Sequence, residues 1–189
     1  AARAECEWQQ VVRACLALAQ RLTGTPQSEA FEEAAVVFAD ELGLPGEAES
    51  LLCQSLAADP ASPLAFGRLH AIYAKRGDMD ALLGLVGNRT AVEREPATRA
   101  LLYYEWARLQ RSKGQLDATL EALATLLELD PRHVGGLALR VDVHTARGEW
   151  VEAAAALRTL ASAEIPLTQQ RLARLGAADI LERRLHDPH

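Results

Sequence analysis

Histidines are the residues that most often carry catalysis or hold a metal, and this chain has five of them: His70, His133, His144, His186 and His189. None stands in an H-E-x-x-H pair, and no carboxylate lies at the spacing that a zinc ligand set needs. We therefore predict that these histidines are satisfied within the fold or exposed to solvent. The pattern predicts no metal site.

The cysteines and glycines also lack a catalytic pattern. Cys6, Cys15 and Cys53 form an odd set without a C-x-x-C pair, and Cys15 and Cys53 lie among apolar residues. We predict that these two are buried, reduced thiols. No phosphate-binding glycine loop or G-x-S-x-G motif is present, and the Gly135-Gly136 pair favours a close approach of two helices. The sequence thus predicts a protein that is not an enzyme and binds no cofactor.

The composition of the chain favours helices. Its 189 residues include 36 alanines and 31 leucines, which are strong helix formers, whereas aromatic residues make up only 5%. The formal net charge is −6, which argues against nucleic acid as the main partner because a phosphate backbone is bound through many lysines and arginines. No stretch reaches the roughly 18 consecutive apolar residues that cross a bilayer. These features predict an all-α protein with no membrane span and no nucleic-acid partner.

The negative charge is concentrated in one part of the chain. Residues 22–67 hold eight acidic residues and no lysine or arginine, while the rest of the chain is nearly balanced. Opposite charge on a partner steers association and sets its orientation. A basic partner, if there is one, is therefore expected to meet residues 22–67.

Glycine and proline repeat along the chain with a common period. Gly43, Gly77, Gly114 and Gly148 are spaced 34, 37 and 34 residues apart. An independent set of prolines follows the same period, with spacings of 34, 36, 35 and 35: Pro26, Pro60, Pro96, Pro131 and Pro166. A period of this size is typical of a helical repeat array.

Each repeat has the pattern of a helix hairpin. Segments such as 64–75 and 116–129 place apolar residues three and four apart, as in an amphipathic helix. The glycine between two such segments is suited to the positive φ that ends a helix, and the basic residues before it suit the negative end of the helix dipole. Asp59-Pro60 and Asp130-Pro131 then close the unit, because proline cannot continue a helix.

This unit resembles the tetratricopeptide repeat, whose 34 residues carry a large residue at position 4, Leu at 7, a small residue at 8, Tyr at 11, Gly at 15, Ala at 20, an aromatic residue at 24, a small residue at 27 and Pro at 32. The matching residues are Gly43, Ala48, Leu52 and Pro60; Phe66, Leu69, Tyr73 and Gly77; Tyr103, Ala107, Gly114, Leu123 and Pro131; and Leu137, Gly148, Ala153 and Leu157. His70, Leu82 and Arg140 depart from the pattern, as in a degenerate, bacterial-type array rich in alanine and leucine. The resemblance implies an all-α, right-handed α-solenoid of antiparallel helix hairpins with about ten helices.

The resemblance also implies the domain organisation. We expect a single array over 1–189, with full repeats at 29–61, 62–96, 97–132 and 133–165. A second helix of a partial repeat is expected at 1–25 and a first helix at 166–189. Neither end resembles a polar capping repeat, and the chain opens with Ala1 rather than methionine. Because solenoids need caps that tolerate solvent, we expect 1–189 to be cut from a longer array or to pair with another chain.

Proteins of this family bind peptides in a concave groove lined by the first helix of each repeat. In the first two units the implied groove positions hold Glu33, Asp40, Glu41, Arg68 and Lys75. In the third unit they hold Tyr104, Glu105, Arg108 and Arg111. We predict a groove that is acidic at its N-terminal end and basic in the middle, with Tyr104 as an aromatic anchor. An alternative is that these charges only keep an apolar array in solution.

The prediction for function is a non-enzymatic scaffold that binds a protein or peptide. The alternatives are a module for homo-oligomerisation and a regulatory domain of a larger protein. The pattern by which chaperone-binding members of the family grip a C-terminal carboxylate is missing, because Glu33, Val37, Arg68, Leu101 and Glu105 occupy its positions.

Overall fold

The computed structural model describes residues 2–163 and 166–184, and in these residues it contains ten α-helices and no strand. Their bounds are α1 Ala2–Ala19, α2 Thr25–Val36, α3 Pro45–Ala58, α4 Pro63–Arg76, α5 Met79–Val92, α6 Pro96–Ser112, α7 Leu116–Leu129, α8 Val134–Arg147, α9 Trp150–Ala161 and α10 Leu167–Arg184. The prediction of an all-α helical repeat with about ten helices is confirmed. His186 and His189 lie outside the described residues.

The predicted glycines end helices as expected. Gly43, Gly77, Gly114 and Gly148 all have φ between 63° and 74°, the left-handed region that favours glycine. At Gly77 the backbone N–H bonds to the Ala74 carbonyl, and Asp78 N–H returns to the Tyr73 carbonyl. The period in the sequence therefore marks the helix ends directly.

The two Asp-Pro loops have the same structure. The side chain of Asp59 accepts a hydrogen bond from the backbone N–H of Ala61 at 2.9 Å, and Asp130 accepts one from the N–H of Arg132 at 3.1 Å. The next helix then begins three residues after the proline, behind a capping side chain. Ser62 Oγ caps α4, and His133 Nδ1 caps α8 by accepting from Gly136 N–H at 2.9 Å.

A π-helical turn over Val37–Glu41 extends α2, and no sequence pattern had indicated it. Leu42 N–H bonds to the Val37 carbonyl five residues earlier, at 3.0 Å. A π turn places one more residue in the turn and rotates the side chains that follow. It carries Asp40 and Glu41, two of the predicted groove residues.

The helices divide into two compact units, Ala1–Val92 and Glu93–His189. Unit 1 packs α1 on α2, α2 on α3, α3 on α4 and α4 on α5. Its core includes Leu52, Leu69 and Val86, all essentially buried. Each such side chain contributes about 1.5–3 kcal/mol on leaving water. Stability in this unit comes from neighbouring helices that cover one another's apolar faces.

One cysteine prediction holds and the other is wrong. Cys15 is buried in the core of unit 1, but Cys53 is exposed. Cys53 lies 3.7 Å from the Tyr73 hydroxyl of α4, at an open recess between α3 and α5, where its side chain stays exposed. The apolar character of the residues around it in the sequence did not distinguish the two faces of that helix.

Unit 2 packs α6 on α7, α7 on α8, α8 on α9 and α9 on α10. Leu123 and Leu126 of α7 are fully buried in a cluster with Ala107 of α6, and Tyr104 and Trp106 of α6 pack against it. Leu137 of α8 is also buried. No helix in the described part of either unit is long and apolar enough to span a membrane.

Candidate protein-binding surface

In unit 1 the predicted acidic and basic groove residues partly cancel. Arg68 donates two hydrogen bonds to the carboxylate of Asp40, at 3.1 and 3.3 Å. The Arg68 guanidinium holds the pKa of Asp40 below its usual range, mainly through the hydrogen bond. Because Arg68 and Asp40 neutralise each other, a partner protein must compete with this ion pair to bind either charge.

The other groove residues of unit 1 have different surroundings. Glu33 accepts a hydrogen bond from Cys15 Sγ at 3.6 Å, so its carboxylate turns toward α1. Burial, with a smaller contribution from Glu33, raises the pKa of the Cys15 thiol. Glu41 and Lys75 are exposed and have no partner among the residues that the structure describes. These two charges face solvent.

A buried polar cluster ties three helices of unit 1 together. Glu32 Oε1 accepts hydrogen bonds from Ser28 at 3.2 Å, from Ser55 at 2.9 Å and from Ser62. Ser28 and Ser55 also lie 2.8 Å apart, and all three serines are buried. The hydroxyls converge on a carboxylate without a histidine to act as base, so the arrangement links α2, α3 and the start of α4 and does not resemble a nucleophile site.

In unit 2 the aromatic anchor predicted at Tyr104 sits in a specific place. Its ring centroid is 4.7 Å from that of His133, with the planes tilted by 50°. Tyr104 also lies over Gly135, where an added Cβ would be 2.6 Å from Tyr104 Cζ and Oη. The Gly135-Gly136 pair therefore marks a close approach of α8 to α6, as predicted. The part of α6 that approaches Gly135 is the side chain of Tyr104.

Arg108 lies over the outer face of the same tyrosine. Its guanidinium carbon is 5.9 Å from the centroid of the Tyr104 ring, within the range of a cation–π contact. The side chain is exposed and makes no ion pair with any residue in the described ranges. Arg108 thus presents a positive charge that no residue in the described part of the chain neutralises.

The ion pairing of Arg111 differs from that of Arg108, although the two residues are three positions apart on the same face of α6. Arg111 Nε donates to Asp142 Oδ2 of α8 at 2.6 Å. Glu105 is half-buried on the same helix. The two arginines, which the sequence pattern does not distinguish, therefore differ, because among the described residues Arg111 alone of the two has a neutralising partner.

The surface around Tyr104 includes an apolar residue that sequence reasoning did not assign to the groove. Leu101 is 63% exposed and stands three residues before Tyr104 on α6, hence on the same face. It lines a recess of about 560 Å³ together with Ala97, Leu129 and His133. The sequence could have assigned Leu101 to the groove, because its place in the repeat corresponds to a groove position in the tetratricopeptide pattern.

A network of charged side chains closes the other end of α8. Glu149 lies 2.7 Å from His144 Nδ1 and 2.7 Å from Arg147 Nε, and Arg147 also pairs with Asp117 of α7. The hydrogen bond with His144, followed by the charge of Arg147, lowers the pKa of Glu149. The described residues contain no group of His, Cys, Asp and Glu side chains that could hold a metal ion.

Comparisons with known proteins support the fold. No protein-family model matches the chain, and no curated protein matches it in sequence. Among solved structures, the crystal structure of MamA is 16% identical, with a TM-score of 0.50 over 97% of this chain and 88% of that one. PilF of Pseudomonas aeruginosa is 13% identical, with a TM-score of 0.53 over 93% of this chain and 90% of that one. Both are helical repeat proteins of the tetratricopeptide type. The chain therefore has a tetratricopeptide-like fold.

Proposed function

We propose that this protein is a non-enzymatic scaffold that binds another protein or a peptide along the first helices of its hairpins. In unit 2 the contact surface consists of Leu101, Tyr104, Arg108 and the neighbouring Glu105 and Arg111. In unit 1 it consists of Glu33, Asp40, Glu41, Arg68 and Lys75. These helices belong to the proposed repeats at 29–61, 62–96 and 97–132.

The observation that carries this proposal is the arrangement at Tyr104. An arginine without a carboxylate partner is held over a tyrosine, next to an exposed leucine on the same helix face. Arginine and tyrosine dominate the binding energy of protein interfaces when they occupy a desolvated centre. A charge that is already neutralised, as at Arg111, gains less from a partner because an existing pair must be broken first.

Unit 1 is proposed to contribute orientation more than affinity. Its exposed charges Glu41 and Lys75 are of opposite sign, and the acidic excess of residues 22–67 favours a partner that is basic where it meets this unit. Exposed charges of this kind change the association rate and its dependence on salt more than the equilibrium affinity.

The experiment that tests the proposal compares two arginine variants. The tagged protein, its Arg108→Ala variant and its Arg158→Ala variant are used as baits, and captured proteins are quantified by mass spectrometry. Arg158 is a matched control because it is exposed on α9 and has no ion-pair partner among the described residues. We expect Arg108→Ala to lose at least tenfold of a captured protein that Arg158→Ala retains. Equal capture by all three baits would contradict the proposal.

Self-association is a second candidate function, favoured by the last helix. On α10, Leu172 and Leu175 are 68% and 66% exposed on one face. Such a face is costly to leave in water and suits a second copy of the chain. Size-exclusion chromatography with light scattering tests this: an oligomer that Leu175→Gln returns to a monomer supports it, and a monomer at high concentration excludes it.

A further inference from the structure

Unit 1 contains a second surface, on the side formed by the later helix of each hairpin. Helices α3 and α5 both pack on α4 and make little contact with one another. The cleft between them holds two recesses, of about 390 and 330 Å³. Both recesses are lined by Leu56, Leu85 and Asn88, so they are adjoining parts of one cleft.

The cleft exists because its walls are made of small residues. Ala57 on α3 faces Ala81 and Gly84 on α5, and nothing lies within 4 Å of a Cβ added at Gly84. The floor is apolar, with Leu69 under the first recess and Phe66 under the second. Larger residues at the wall positions would fill this space, so the short side chains leave room for side chains from elsewhere.

Polar groups are placed at three points of the cleft, and one of them is Arg89 in the second recess, whose guanidinium carbon is 5.8 Å from the centroid of the Phe66 ring. Asn88 lies where the two recesses meet. Its side chain is exposed and has no hydrogen-bond partner among the described residues. Its amide offers both a donor and an acceptor, as a backbone peptide group requires. The Tyr73 hydroxyl lies 3.7 Å from Cys53 Sγ in the first recess. Burial raises the pKa of Tyr73 to about 12, so this hydroxyl remains a donor at neutral pH.

One end of the cleft is acidic. Arg76, the last residue of α4, bonds to Glu49 near the start of α3 at 2.5 Å, and α5 starts three residues after Arg76. The starts of α3 and α5 therefore lie at the same end, where Glu47 and Asp80 add to Glu49. The last turn of α4 carries two cations, Lys75 and Arg76, against these three carboxylates. Unit 1 as a whole has seven basic and twelve acidic residues.

We propose that this cleft binds an extended segment of a partner protein that carries two apolar side chains separated by one residue, with basic residues at one end. The apolar side chains fill the two recesses, and Asn88 bonds the backbone between them. Alternate side chains of an extended chain point to one face about 7 Å apart, which suits two recesses that share a wall. The basic residues meet the acidic end, where Glu47 and Asp80 add negative charge to the Glu49–Arg76 pair.

The site is independent of the face of α6 in unit 2. It needs a partner segment of different chemistry, basic and apolar, and its residues lie in helices α3, α4 and α5. A partner that contacts both surfaces would bind more tightly than either contact alone allows, by raising the effective concentration of the second contact.

The test uses a fluorescent synthetic peptide with three lysines followed by two leucines that flank one threonine. Its binding to the full chain is measured by fluorescence anisotropy, beside two control peptides in which the lysines are glutamates or the leucines are serines. We expect saturable binding of the first peptide, and at least tenfold weaker binding of both controls. No saturable binding of the first peptide, or equal binding of all three, overturns the proposal.

A blocking variant locates the binding. Gly84→Leu places a side chain in the cleft, because Gly84 lines the first recess and nothing lies within 4 Å of a Cβ added there. Gly67→Leu is its matched control, because Gly67 is exposed within α4 and also has nothing within 4 Å of an added Cβ. We expect Gly84→Leu to lower the affinity at least tenfold and Gly67→Leu to leave it within twofold. Equal affinities for the two variants would place the peptide elsewhere and overturn the proposal. Arg108→Ala is expected to leave this peptide's affinity unchanged, so failure here is distinguishable from failure of the contact on α6.

Discussion

Replacing Gly135 by alanine tests the position of the Tyr104 ring, on which the proposed contact surface depends. The new methyl group would lie 2.6 Å from Tyr104 Cζ and Oη, whereas carbon atoms in contact are 3.5–4.0 Å apart. The tyrosine ring must therefore move by about 1 Å or swing out of its position against His133. In either case the guanidinium of Arg108 loses the surface under it.

The cost follows from opposing effects. Crowding of this kind costs about 1–3 kcal/mol. The gain in helix propensity from glycine to alanine is at most about 1 kcal/mol, and it is smaller here because Gly135 is the second residue of α8. We therefore expect Gly135→Ala to lower the free energy of unfolding by about 1–2 kcal/mol. Gly84→Ala is the control: it adds a methyl into open space inside α5 and is expected to raise stability by about 0.5–1 kcal/mol.

Urea unfolding followed by far-ultraviolet circular dichroism measures both variants. Opposite shifts of the unfolding midpoint are expected. A stabilising effect of Gly135→Ala equal to that of Gly84→Ala would refute the reasoning, because it would mean that Tyr104 does not occupy the space over Gly135.

Three further predictions concern unit 1 and the network on α8. Glu32→Ala removes the acceptor of three buried hydroxyls and should lower the free energy of unfolding by about 1–3 kcal/mol. Its control, Glu29→Ala, removes an exposed carboxylate on the same helix and should change the free energy of unfolding by less than about 0.5 kcal/mol. Equal effects of the two substitutions would contradict the role of the cluster. The lowered pKa of Glu149 means that its contribution to stability is present above the pKa of an unfolded glutamate and is lost as the pH falls through the folded value. Glu149→Gln should therefore reduce the loss of thermal stability below about pH 4, and an unchanged acid profile would argue against the network. Cys53 is exposed, whereas Cys15 is 5% exposed and has a raised pKa. A thiol reagent at neutral pH should therefore modify Cys53 much faster than Cys15 in the folded protein, and equal rates would show that Cys15 of α1 is not packed against α2.

The period of glycine and proline was enough to predict the hairpins, because each signal acts locally. A glycine such as Gly77 ends a helix through its own φ, and its effect does not depend on distant residues. The close approach at Gly135 was predictable for the same reason, since only a missing side chain allows it. Local rules therefore account for the class of fold and for most helix ends.

The details of the candidate surface depend on which side chains meet across helices. Arg108 and Arg111 have the same chemistry and similar repeat positions, yet only Arg111 reaches a carboxylate, 31 residues further along the chain. The π turn at Val37–Glu41 likewise brings Asp40 to Arg68 through a shift that the apolar pattern does not record. Such pairings follow from the packing of whole helices, so spacing alone could not separate free charges from neutralised ones.

The central claim, that the face of α6 binds a protein partner, is tested most directly by site-specific photocrosslinking. A photoreactive amino acid is placed at Leu101, beside Tyr104, and at Val151, an equally exposed apolar position on α9. Illumination in an extract of cells that carry the gene is expected to give a discrete crosslinked protein from position 101, absent from position 151 and lost when Arg108→Ala is added. The same products from both positions, or a crosslink from position 101 that persists in the Arg108→Ala background, would contradict the account.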